Sequence, residues 1–83
     1  MLLGIDVGNT QTHVGMFRDE ELVVHWRFAT ARHATADQLA SGLSSLLALR
    51  ELGLADAEAA IVSSVVPALA QEYEQLIERY LKG

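Results

Sequence analysis

Residues 2–17 constrain this chain more than any other stretch. An apolar run, Leu2-Leu3-Gly4-Ile5, leads into Asp6-Val7, passes through Gly8-Asn9, and returns as the alternating run Thr10-Gln11-Thr12-His13-Val14-Gly15-Met16-Phe17. Two such runs around a Gly-Asn pair predict antiparallel strands joined by a tight turn. Gly8 and Asn9 both tolerate positive φ, so the backbone can fold sharply there and aim its N–H groups at an anion. Thr10 and Thr12 add hydroxyl donors, and Asp6, at the end of a buried strand, is placed to hold a hydrated divalent cation. Together they form a candidate site for a nucleotide's phosphates and its metal. The same residues also suit a plain hairpin, in which a buried Asp6 would need a structural hydrogen bond.

The chain has 83 residues, which makes one small domain or part of a larger one. Half of its residues are hydrophobic (51%), a high share for so short a chain, and this implies apolar surface that meets further protein. With no cysteine, a disulfide framework and a thiolate metal site are both excluded, and a reducing cytoplasm is the default compartment. The start lacks the basic region of a signal peptide, and no apolar run reaches the ~20 residues of a membrane span. A net charge of −5 without a Lys/Arg cluster argues against nucleic acid or an acidic membrane as partner, though not against one nucleotide.

Farther along, Arg18-Asp19-Glu20-Glu21 reads as a polar turn and Leu22–Ala29 as a third strand. Val24, Trp26 and Phe28 share one of its faces, and Val23, His25 and Arg27 the other, where His25 and Arg27 read as solvated edge residues. Thr35-Ala36-Asp37-Gln38 is a capping box, so a helix begins there, and Ala36, Leu39, Ala40, Leu43, Leu46 and Leu47 form its apolar stripe. Arg32 and His33 precede it in a loop, as solvated cations or within reach of a phosphate. Gly53 suits a left-handed helix stop. Ala59–Ser64 reads as a buried strand that can pair parallel with the first, since the helix provides the crossover. Ser63 and Ser64 then lie at its carboxyl end, beside the strand carrying Asp6, as ligand contacts or as caps of the next helix. Pro67 opens that second helix, with Leu69, Tyr73, Leu76, Ile77 and Tyr80 as its stripe and Glu72, Glu74, Glu78 and Arg79 facing out. The expected fold is α/β, in the order β-β-β-α-β-α: a mixed sheet of three antiparallel strands with a fourth parallel to the first. The pattern ends at Leu81-Lys82-Gly83, where a fifth strand is expected, so the chain reads as the front of a longer protein.

Ile5-Asp6-Val7-Gly8-Asn9-Thr10, the returning strand, His25-Trp26-Arg27-Phe28-Ala29-Thr30 followed by Thr35-Ala36-Asp37, and Ser63-Ser64-Val65-Val66-Pro67 together resemble the N-terminal part of type III pantothenate kinase. The resemblance spans nearly the whole chain. It implies a partial ribonuclease H-like, actin-like ATPase domain of the acetate and sugar kinase, Hsp70 and actin superfamily, with residues 1–83 forming the N-terminal part of the first of two domains. It implies transfer of the γ-phosphoryl group of ATP to the primary hydroxyl of pantothenate, the first step of coenzyme A synthesis, in a cytoplasmic homodimer that uses Mg2+ and a monovalent cation, K+ or NH4+. The family's phosphate loop falls on Asp6, Val7, Gly8, Asn9, Thr10, Gln11, Thr12 and His13, with Asp6 near the magnesium. The chain departs from the family pattern at Gln11 and His13. The family's pantothenate motif, general-base aspartate and cation site would lie beyond Gly83, so no catalytic residue is assigned here and the piece alone is expected to be inactive.

Two other readings compete. One is a different kinase or ATPase of the same superfamily. The other is a non-catalytic module that binds a partner, or itself, through the open sheet face and the Leu76, Ile77 and Tyr80 stripe.

Overall fold

Residues 1–81 are described by a computed structural model. Strands β1 (Leu2–Val7), β2 (Gln11–Arg18) and β3 (Glu21–Ala29) form an antiparallel meander. Helix α1 (Ala36–Ala48) carries the chain across, and strand β4 (Ala59–Ser64) returns parallel to β1, followed by helix α2 (Pro67–Tyr80). The sheet order is β3-β2-β1-β4, the mixed α/β arrangement expected from the sequence.

Strand alternation divides the sheet into two unlike faces. Leu3, Ile5 and Val7 of β1, Val14 and Met16 of β2 and Val24 of β3 point to one side, where Ala36, Leu39, Ala40, Leu43 and Leu47 of α1 and Leu69, Tyr73 and Leu76 of α2 close over them in one core. Each fully buried leucine contributes roughly 2 kcal/mol of apolar transfer. The capping box forms as expected: Thr35 Oγ1 accepts from the Gln38 N–H (3.2 Å) and Gln38 Oε1 from the Thr35 N–H (2.9 Å). Glu72 does not face out. Its Oε1 accepts from the Ala36 N–H at 2.8 Å, because α2 packs across the start of α1, where the unpaired N–H groups and the helix dipole attract a carboxylate.

Three further expectations are corrected. Strand β4 is not buried; it forms the sheet's edge among the described residues, and its Ile61 is 62% exposed on the side away from the helices. Gly53 is not the left-handed stop of α1. That conformation belongs to Glu51 (φ 62°), with the Leu52 N–H donating to Leu47 O (2.9 Å) and the Glu51 N–H to Ala48 O (3.1 Å). The early reversal lets Leu52 pack on the core, and Gly53, at φ −144°, instead opens a short 3-10 turn over Leu54–Asp56. Last, the α2 stripe is mostly consumed: Leu76 is fully buried, Ile77 half-buried, and the Tyr80 hydroxyl donates to Asp37 Oδ1 at 2.5 Å beside Arg79, whose Nη1 lies 3.3 Å from the same oxygen. Of the Leu81-Lys82-Gly83 end, Lys82 and Gly83 lie outside the described residues.

The other sheet face carries no helix among the described residues. Gly15 makes it a shallow trough, since a Cβ there would lie 2.8 Å from Leu22 Cδ1. Leu22 reaches that place through a bulge. Met16 pairs with Val24 but Phe17 pairs with Leu22, so Val23 is an extra residue that puts Leu22 on the trough side.

Candidate functional site

Asp6 is exposed and opens onto this second face, at the carboxyl end of β1. The pairing register sets Ser63 of β4 on one side of it and His13 of β2 on the other, and Arg27 of β3 pairs with His13. Ser63, Asp6, His13 and Arg27 therefore form one row across the open sheet. Asp6, His13 and Ser63 line a hollow of about 590 Å³ whose floor includes Gly4, Gly15 and Ile61. An exposed carboxylate beside a hydroxyl at a strand's carboxyl end is chemically fit to bind a hydrated cation.

The turn after β1 does not use positive φ: neither Gly8 nor Asn9 is left-handed. Gly8 is needed for a different reason. Its N–H donates to Gln11 O at 2.9 Å, and a Cβ at residue 8 would sit 2.9 Å from that same oxygen. The turn is held from outside by the segment after β3. Thr30 N–H donates to Thr10 O (2.9 Å), Thr30 Oγ1 donates to Gly8 O (2.8 Å), and Arg32 Nη2 donates to Asn9 Oδ1 (2.9 Å). All three bonds take oxygen atoms of the turn. The N–H groups of Asn9 and Thr10 have no hydrogen-bond partner among the described residues, on a turn whose Asn9 and Thr10 are exposed.

The eight loop residues thus divide. Asp6, Asn9, Thr10, Gln11 and His13 are exposed and Gly8 is half-buried, whereas Val7 and Thr12 turn their side chains into the core. Thr12 is 1% exposed and its hydroxyl is 3.0 Å from Thr30 Oγ1, so it is no donor for a ligand. Ser64 likewise turns inward, its Oγ bonded to the Val66 N–H (3.0 Å) and O (2.9 Å), just ahead of α2. Arg32 and His33 line a separate hollow of about 570 Å³ with Phe28 and Leu39, which contains no carboxylate.

Sequence reasoning missed Thr30 and the partner of Arg32. Thr30 faces Thr10 only because of the Val23 bulge; an unbroken ladder from the Asp19-Glu20 turn would have set Ala29 there. No residue pattern announced the bulge.

The sequence profile described as "Type III pantothenate kinase" matches residues 2–83 of this chain. The chain belongs to the type III pantothenate kinase family. It is 44% identical over 80 residues to a type III pantothenate kinase of Halalkalibacterium halodurans, 46% over 76 residues to one of Rubrobacter xylanophilus, and 42% over 82 residues to one of Desulfosudis oleivorans. These alignments cover 96%, 92% and 99% of the chain but only 32%, 29% and 32% of the relatives, so the chain spans about a third of their length. The turn after β1 is one of the four segments that together carry the family resemblance.

Proposed function

We propose that this chain is the N-terminal, ATP-phosphate-binding segment of a pantothenate kinase, which transfers the γ-phosphoryl group of ATP to the primary hydroxyl of pantothenate at the start of coenzyme A synthesis. The observation that carries the reading is the exposed Asp6 carboxylate directly before a turn whose Asn9 and Thr10 N–H groups have no hydrogen-bond partner among the described residues. Backbone donors of this kind suit the phosphate oxygens, and phosphoryl transfer asks mainly for positioning and charge neutralisation.

In this reading the Asn9 and Thr10 amides bind phosphate oxygens, Arg32 adds a nearby positive charge, and Gln11 and His13 border the site. Mg2+ fits the single exposed carboxylate of Asp6, since this ion is commonly held by one or two carboxylates with water and phosphate oxygens. Asp6 is the residue that would hold it, and the ion would neutralise charge on the transferring phosphoryl group. The general base, the pantothenate contacts and the monovalent-cation site are assigned to the remainder of the protein, which acts in the cytoplasm as a homodimer. No helix among the described residues is long and apolar enough to cross a membrane.

The test is ADP formation from ATP and Mg2+ in the complete protein, with and without pantothenate. Pantothenate-dependent turnover that falls on the order of a hundredfold in Asp6→Asn, with the melting temperature unchanged, supports the reading. Full activity of Asp6→Asn overturns it, and turnover by residues 1–83 alone overturns the expectation that this piece is inactive.

A further inference from the structure

The geometry points to Thr30 as a positioning residue for the turn that binds phosphate, an inference that rests on the proposed function. Its single hydroxyl proton is spent on Gly8 O at 2.8 Å, so the 3.0 Å contact with Thr12 must have Thr12 donating to Thr30. The result is a directed relay from Thr12 O–H to Thr30 O–H to the Gly8 carbonyl, running from the core into the turn. The Thr30 N–H fixes Thr10 O at 2.9 Å by an independent backbone bond. Two alternate peptide units of the turn, Gly8–Asn9 and Thr10–Gln11, on either side of the Asn9–Thr10 unit, are thereby gripped by their oxygens.

A peptide plane held by its oxygen also has its N–H direction fixed, because the two groups are rigidly trans. Gly8 O belongs to the same plane as the Asn9 N–H, so the Thr30 hydroxyl sets the direction of the one and thereby of the other. Thr30 itself is half-buried, and its effect on ATP is exerted through the Asn9 amide. Misplacing a donor by an ångström is enough to forfeit much of its contribution.

Thr30→Val keeps the branched shape and the backbone N–H but removes the relay, and Thr30→Ser restores the hydroxyl. In the complete protein, equilibrium binding of MgATP and the KM for each substrate are measured for all three forms. The expected result is an ATP Kd and KM raised roughly tenfold in Thr30→Val, a pantothenate KM within about twofold of wild type, and recovery in Thr30→Ser. Unchanged ATP binding in Thr30→Val overturns the inference while the kinase reading stands. Equal losses for both substrates, without rescue by serine, overturn it as well by making Thr30 a general stability residue. Wild-type protein that binds no MgATP overturns the kinase reading and the inference with it.

Discussion

Arg32 reaches from the segment after β3 to the turn after β1 and donates from Nη2 to Asn9 Oδ1 at 2.9 Å. The bond keeps a guanidinium beside the proposed phosphate site. Both residues are exposed, so the contact adds little to stability. Arg32→Ala is expected to lower stability by no more than about 0.5 kcal/mol in urea unfolding. It is expected to weaken MgATP binding by roughly 1 kcal/mol, about fivefold in Kd, measured by calorimetry. Binding equal to wild type would remove Arg32 from the site.

Glu72 gives a stability prediction. Its carboxylate caps the Ala36 N–H from a different helix, at 2.8 Å and half-buried. Glu72→Ala leaves that donor unpaired and should cost about 1–2 kcal/mol, whereas Glu72→Gln keeps an acceptor and should recover about half. Urea midpoints of the two variants decide it, and identical midpoints would show that the capping contact contributes nothing.

Two tyrosines and Asp37 set the pH dependence. The hydrogen bond from Tyr80, aided by Arg79, holds the Asp37 carboxyl below the usual carboxylate range. Its contribution is therefore present above about pH 4 and lost as the pH falls through the depressed value. Asp37→Asn should flatten stability in that acid range. At the other end, burial pushes the Tyr73 hydroxyl up to about 12. That contribution is present below about pH 10 and disappears as the pH rises through the folded value. Tyr73→Phe should leave the melting temperature at pH 7 nearly unchanged and raise it relative to wild type at pH 11. Parallel pH profiles of variant and parent would refute either assignment.

Glu51 should be improvable. It adopts φ 62° to close α1, a conformation that costs a non-glycine residue roughly 1 kcal/mol or more. Glu51→Gly removes that strain but loosens the unfolded chain, so a net gain of about 0.5 kcal/mol is expected in thermal unfolding. A loss would mean that the Glu51 side chain makes a contribution of its own.

Most of the architecture was legible in the sequence because it follows from local periodicity. Alternation in residues 2–17 and 22–29, the Thr35-x-x-Gln38 box and the Pro67 start each named an element, and the apolar stripes named the faces that became the core. The Asp6 turn was legible for the same reason, as a break between two patterned runs. Its internal geometry was not: Gly8 was read as a provider of positive φ, and it proves to be small because Gln11 O lies against it.

By itself the sequence determined the strands, the helices, their order and the segments that carry the family resemblance, since each depends on residues a few positions apart. Only the tertiary structure decided which atoms hold the turn. The Val23 bulge brings Thr30 opposite Thr10, Arg32 finds Asn9, and Glu72 finds Ala36, at separations of 20, 23 and 36 residues along the chain. Such contacts depend on how a ladder is registered and how two helices cross, and neither is encoded in the spacing of nearby side chains.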